Sequence, residues 1–245
     1  MEKANLQLYS VRQFMEKNVA DTLAKVAGCG YTGVEFAGYF DVPAADMAKL
    51  LKDNGLEAVS NHVKNYQFLQ SELDKQIEYL LTIGGRYMVC TNPPMGEKDE
   101  IIAGAHVLSE IAEKCKKNGL KFALHNYLPE FGQIDGVYKW DILFENASEL
   151  VLAEPDIFWI AVCGADPIQY IKKLGSRVAL MHLKQMSSYE PKTDVPAPDG
   201  VFDFKEFIAL GGSLGVTDYV YEHEPENPDT AFDAVKRSCD YILAL

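Results

Sequence analysis

Four apolar runs in this chain end on side chains that bind metals or move protons. They are Phe122-Ala-Leu-His125-Asn126, Val151-Leu-Ala-Glu-Pro-Asp156, Val178-Ala-Leu-Met-His182-Leu-Lys184 and Tyr219-Val-Tyr-Glu222-His223-Glu224. Carboxylate oxygens attract a hard divalent cation, and an added imidazole moves the preference from Ca²⁺ toward Mn²⁺, Co²⁺, Zn²⁺ or Fe²⁺. Asp156, His182 and Glu222 therefore form a candidate ligand set if their runs lie side by side. Two residues compete for a fourth position: His125 at the end of its run, and Glu130 in Tyr127-Leu-Pro-Glu130-Phe131. A further carboxylate neutralises the ion better, so Glu130 is the expected ligand. His125, with an ordinary pKa near ~6.5, is then the expected acid or base. Glu222 is expected to be a ligand and is the second candidate base, behind His125 because a carboxylate held on a cation has low basicity.

These groups need a scaffold that brings the ends of separate runs to one face. Strand-like and helix-like segments alternate along the whole chain, beginning with a strand at Asn5 to Ser10 and a helix through Asp21 that stops at Gly28-Cys-Gly30. Further strands are expected at Gly33–Phe36, Glu57–His62, Tyr87–Thr91, Lys121–Asn126, Leu150–Glu154, Val178–Leu183 and Tyr219–Glu222. Eight strand–helix units of roughly thirty residues each have the spacing of βαβ repeats. The near-continuous apolar strands fit a parallel sheet covered on both faces. The expectation is an α/β fold, a single (β/α)₈ TIM barrel in one domain spanning residues 1–245, with its active site at the strand C-termini. The longest irregular stretch, Gln185 to Phe202, leaves the strand that carries His182 and Lys184, and is expected to act as a partial lid.

Composition narrows the partners. At 245 residues the chain can bury about 70–75% of its unfolded surface without a disulfide or metal staple. The formal net charge is −13, with arginines only at Arg12, Arg86, Arg177 and Arg237, which disfavours nucleic acid and anionic lipid. No run approaches the ~20 apolar residues of a membrane span. The five cysteines show no C-x-x-C spacing, which suits a reducing compartment. With no signal peptide visible before the first strand, a cytoplasmic location is expected, a periplasmic one only if a leader has been removed. Homo-oligomerisation stays open.

Several segments taken together are similar to the sugar phosphate isomerase/epimerase family of the xylose-isomerase-like TIM-barrel superfamily. They are Gln7-Leu-Tyr-Ser-Val-Arg12, Gly33-Val-Glu-Phe-Ala-Gly38, His125-Asn126 with Glu130-Phe131, Asp156 with Trp159, His182-Leu-Lys184 and Glu222. The resemblance runs the length of the chain in order. It implies one divalent metal held by Glu, Asp, His and Glu, which maps onto Glu130 (or His125), Asp156, His182 and Glu222. Mn²⁺ is the expected ion, with Mg²⁺, Co²⁺ or Zn²⁺ as alternatives. It further implies a metal-dependent isomerase or epimerase acting on a keto sugar or sugar derivative through α-proton abstraction and a metal-stabilised enediolate. Two departures stand beside the site: the family's His-Asn-His reads His125-Asn126-Tyr127, and the acid that follows His-Leu-Lys is Gln185.

Other polar groups at strand ends complete the expectation. Glu35, His62 and Trp159 are candidate substrate contacts, and Lys184 is a candidate electrostatic stabiliser of the enolate. Few cations flank the site, which points to a neutral or keto sugar rather than a phosphate ester. A lyase or dehydratase would use the same enolate on a substrate with a β-leaving group. An endonuclease would need more histidines than the five present and a basic surface, and a non-catalytic sugar-binding barrel would not need the ligand set.

Overall fold

Each expected apolar run contains a strand in the computed structural model, which describes residues 3–245, although the first stops at Gln7, where Leu8–Val11 winds into a 3₁₀ turn. The strands are β1 (Asn5–Gln7), β2 (Gly33–Phe36), β3 (Glu57–Val63), β4 (Tyr87–Cys90), β5 (Lys121–His125), β6 (Val151–Glu154), β7 (Met181–Met186) and β8 (Tyr219–Glu222). They run parallel in the spatial order β7-β8-β1-β2-β3-β4-β5-β6. The helices are α1 (Arg12–Met15), α2 (Val19–Gly28), α3 (Ala44–Asp53), α4 (Tyr66–Thr82), α5 (Lys98–Lys117), α6 (Lys139–Asn146), α7 (Ile157–Val162), α8 (Pro167–Leu174), α9 (Phe204–Ser213) and α10 (Ala231–Leu243).

The sheet curls as a barrel does, but its two ends meet without a continuous ladder. Only isolated bridges at Ala153–Val178 and Asp156–His182 join β6 to the β7 side. Ala179 N donates to Ala153 O at 2.9 Å and His182 N to Pro155 O at 3.1 Å. Pro155 has no N–H to return, which is one reason the ladder breaks there. The regular part of β7 accordingly starts three residues later than the apolar run suggests. It extends further because Asp194–Val195 pairs antiparallel with Gln185 and Met186.

Alternation along the strands sorts the side chains into two sets. One face packs under the helices as the main core, with Phe36, Phe122, Trp140, Phe204 and Tyr221 among its members. The other carries a small apolar layer of Val59, Tyr87, Val89, Ala123, Leu180 and Val220. Two residues beyond Ala123, Leu180 and Val220 stand His125, His182 and Glu222, on that same inner face. On β3 a bulge is needed to keep the pattern. Val34 pairs with Ala58 but Glu35 pairs with Ser60, so Val59 is an extra residue and both Ser60 and His62 turn inward.

Candidate active site

His182 on β7 is the hub of the inner face, and its two ring nitrogens meet different surroundings. Nε2 lies 2.6 Å from Glu35 Oε1 and 3.5 Å from Glu154 Oε1. Glu35 also accepts from Gln7 Nε2 at 2.7 Å, from Ser60 Oγ, and lies 2.9 Å from His62 Nε2. The same His62 nitrogen is 2.8 Å from Glu154 Oε2. On the other side of the ring, His182 Nδ1 is 3.4 Å from Glu222 Oε2 and 3.7 Å from Asp156 Oδ2. Asp156 Oδ2 is in turn 3.5 Å from His125 Nε2.

Several of these atoms are buried with no hydrogen-bond partner: both ring nitrogens of His125, Glu154 Oε1, Asp156 Oδ2 and His182 Nδ1. An unsatisfied buried polar atom costs roughly 1–3 kcal/mol, so such a concentration marks a place prepared for something else. Ligand atoms held about 2.1 Å from one ion sit roughly 3–3.5 Å apart, close to the spacings on the Nδ1 side of His182. His62, His125, Glu154 and His182 also offer one ligand atom each within 4.8 Å of one another. The inner face thus contains a His/carboxylate cluster that could hold a divalent metal, with donors suited to a first-row ion. Of the two sides of His182, the Nδ1 side is the less satisfied: Nε2 is held by Glu35 at 2.6 Å, whereas Nδ1 and the facing Asp156 Oδ2 have no hydrogen-bond partner.

Charge pairing sets the protonation of the cluster. Burial would raise the Glu35 carboxyl, yet His62 and His182 hold it well below the ordinary carboxylate range. Burial works to lower the imidazolium pKa of His62 and of His182. Glu35 and Glu154 outweigh it, carrying His62 up to about 9 and His182 well above its ordinary value. Glu154 is pushed up to about 7 by burial and by the charge of Glu35. His125 goes the other way: burial brings it down to about 4, with His182 and His62 adding to the effect against Asp156. Asp156 and Glu222 both lie below their usual range despite burial, the first through His125 and His182, the second through Lys184 and His182.

Lys184 is 1% exposed and sits among carboxylates, with Nζ 2.9 Å from Glu222 Oε1, 2.7 Å from Glu224 Oε1 and 3.5 Å from Asp194 Oδ2. Its ammonium stays charged against burial because Glu222 and Asp194 face it. Asp194 also lies 2.8 Å from His223 Nδ1 and accepts from Glu224 N at 2.7 Å. The long segment Gln185–Phe202 therefore brings an acid to the site. Its base is fastened by Gln185, which donates to Ala197 O and Phe202 O and accepts from Phe202 N. Gln185 points away from the cluster, so its departure from the family pattern falls on this fastening.

The structure brings Asp156, His182, Glu222 and His125 together as the strand ends suggested. Glu130 stands apart: Oε2 accepts from Tyr127 N at 2.8 Å within a short 3₁₀ turn, and no ion pair joins the side chain to the cluster among the described residues. Burial raises its carboxyl to about 7. Glu35 is corrected as a substrate contact, because it is fully buried and its oxygens are taken by Gln7, Ser60, His62 and His182. Trp159 packs edge-on to Tyr127 and lies 5.5 Å from Lys184 Nζ. Glu154 was the residue most easily missed. It pairs with His125 in register and alternates with Asp156, a period-two signal present in the run itself.

A cleft of about 850 Å³ opens onto this floor. His62, Tyr127 and Glu222 line it, whereas Glu35, His125 and Trp159 do not. Its walls come from Tyr9, the β2–α3 loop with Tyr39 and Phe40, and Phe68 and Tyr79 of α4.

A curled parallel α/β sheet with a metal-type cluster on its inner face defines a class, and the sequence agrees with it. The chain belongs to the xylose isomerase-like TIM barrel family, whose model matches residues 23–245. It is similar in structure to a sugar phosphate isomerase/epimerase from Parabacteroides distasonis ATCC 8503, at 23% identity and a TM-score of 0.87 over 100% of this chain and 99% of the other. The probable 3-DHS dehydratase AsbF from Bacillus anthracis superposes with a TM-score of 0.76 at 15% identity, covering 98% of each chain. The IOLI protein with a binding zinc atom does so at 0.74 and 16%, covering 99% of this chain and 98% of that one. No curated protein matches the sequence. No helix among the described residues is long and apolar enough to cross a membrane.

Proposed function

We propose that the chain is a divalent-metal-dependent isomerase or epimerase that moves an α-proton on a keto sugar or sugar derivative. The observation that carries this reading is the convergence of Asp156 Oδ2, His182 Nδ1 and Glu222 Oε2, two of them buried and unpartnered, at 3.4–3.7 Å beneath the cleft. These three are the assigned ligands. His125 replaces Glu130 as the fourth, because its ring is neutral, unpartnered and beside Asp156. When bound there, a divalent cation supplies Lewis-acid polarisation of a sugar carbonyl, which makes the neighbouring C–H more acidic. The likeness to an isomerase/epimerase, and to a protein with a bound zinc, supports the reading.

The chain's own groups divide the proton work. Glu222 and His62 reach the cleft from different strands and carry opposite charge. Glu222 takes the α-proton, with Lys184 keeping its carboxylate ionised. His62, held protonated between Glu35 and Glu154, returns a proton. Return to the same carbon from the other face gives an epimer, and to the neighbouring carbon an isomer. Where a β-hydroxyl is present, the same abstraction followed by proton donation from His62 to that hydroxyl expels it as water, a dehydratase outcome favoured by the likeness to AsbF. The test is elemental analysis of protein reconstituted with Mn²⁺ or Zn²⁺, followed by deuterium exchange at the α-carbon of keto sugars in D₂O. One bound ion per chain and metal-dependent exchange are expected; no bound ion after reconstitution would end the reading.

A further inference from the structure

The cleft is larger and more aromatic than a single sugar ring requires. Its volume of about 850 Å³ lies near the top of the ~300–1,000 Å³ range that encloses drug-sized ligands. Its lining includes the polar groups of the floor, His62, Tyr127 and Glu222. It also includes five aromatic rings: Tyr39 and Tyr79, stacked with centroids 3.6 Å apart, and Phe40, Phe68 and Tyr9. Phe68 is 45% exposed and Tyr9 40% exposed, so apolar faces remain open to a ligand. Phe40 and Asp41 hold left-handed backbone, φ 52° and 58°, at this rim. Such geometry costs of order 1–3 kcal/mol for a non-glycine residue, and persists where surrounding structure enforces it.

Polar features agree with a neutral occupant. Asn61 is 2% exposed, lines the cleft, and leaves Oδ1 without a partner, an acceptor placed for a hydroxyl. The Tyr39 hydroxyl is likewise buried and unpartnered. Lys64 is the sole lysine or arginine among the lining residues, and with His62 it is balanced by Asp41 and Glu222. A phosphate ester would find too little positive charge here.

We propose that the cleft takes a neutral glycoside, with the reacting sugar over His62 and Glu222 and a second ring, aryl or sugar, against Tyr39, Phe40 and Phe68. This rests on the proton-transfer reading for the identity of the reacting end, but its test does not need turnover. Calorimetric titration would compare phenyl β-glycosides and β-linked disaccharides of glucose, galactose, mannose and xylose with each free sugar, and, for the hexoses, with its 6-phosphate. At least one glycoside should bind about tenfold more tightly than its parent sugar and its phosphate, the gain a buried aromatic contact provides. The phenyl and disaccharide arms show which second ring is preferred. Phe68→Ala and Tyr9→Ala, both at half-exposed positions, should remove most of that gain. No gain for any glycoside of the panel, or tightest binding of a phosphate, overturns the proposal. Metal-dependent exchange on free keto sugars without preference for glycosides would leave the proposed function standing and sink this one. Tight glycoside binding without exchange would do the reverse.

Discussion

Lys184 and Glu222 share the charge of the site between two surroundings. The ammonium takes Glu222 Oε1 at 2.9 Å, which leaves Oε2 turned to His182 Nδ1 at 3.4 Å. One carboxylate is thereby fixed in orientation by a cation of the chain while its second oxygen faces the unpartnered atoms of the cluster.

That pairing predicts the behaviour of Lys184→Met. Glu222, Glu224 and Asp194 would lose the ammonium they share, a loss of about 3–5 kcal/mol for breaking a buried pair. Urea unfolding should show it, and adding Glu224→Gln should restore part. A change below about 1 kcal/mol would mean that the ammonium is not needed to hold these acids.

Asp156 has two jobs that can be separated. Its Oδ1 caps α7 by accepting from Phe158 N at 2.8 Å and Trp159 N at 3.1 Å, while Oδ2 faces His125 and His182. Asp156→Ala should lose bound metal and about 1 kcal/mol of stability. Asp156→Ser should regain the cap but not the metal. If Asp156→Ser retains a stoichiometric ion, the ligand assignment is wrong.

The fourth ligand is decided by a pair of variants. His125→Gln should lower metal content or affinity at least about tenfold, as loss of a ligand or its support does, whereas Glu130→Gln should leave it unchanged. The opposite pattern in elemental analysis would return Glu130 to the site.

Glu130 instead predicts a pH dependence of stability. Its folded-state pKa, pushed up to about 7 by burial, lies above the value of an unfolded glutamate. The folded state therefore holds an extra proton between about pH 4.5 and 7, and the stability this group contributes is present below that window and lost as pH rises through it. Relative to wild type, Glu130→Gln should gain on the order of 3 kcal/mol across the window. Parallel stability–pH curves for the two proteins would show that the carboxyl is not strained by burial.

The fastening at Gln185 bears on the expected lid. Gln185→Ala would free Phe202 N, Ala197 O and Phe202 O, so proteolysis within 187–202 should rise severalfold while metal content stays. For the native chain, slower cleavage in this segment with a bound sugar analogue would support lid closure. Unchanged cleavage with a ligand that demonstrably binds would remove it.

Much of this architecture can be read from the amino-acid order. The strands recur at βαβ spacing, and Asp156, His182 and Glu222 stand where their runs end, so the parallel order alone brings them together. What could not be read depends on orientation rather than position. Glu130 and His125 are both near the end of β5, but only the backbone of the Tyr127–Phe131 turn decides that Glu130 folds back onto Tyr127 N. Glu35 looks like a substrate contact until four neighbours are seen to occupy its oxygens. Pro155 breaks the ladder between β6 and β7, an effect that becomes visible only once those strands are known to be neighbours.

The bulge at Val59 makes the chemistry of β3 a matter of parity. Had the ladder continued unbroken from Val34–Ala58, Val59 would face Glu35, and each later residue of β3 would exchange sides. Asn61 would then point to the cluster and His62 to the helices, leaving His182 as the one ring shared by Glu35 and Glu154. One surplus residue on one strand thus supplies the second of the two imidazoles that Glu35 and Glu154 share at the centre of the molecule. Insertions or deletions on β3 should accordingly be tolerated only where they leave the odd–even count between Glu35's partner and His62 unchanged.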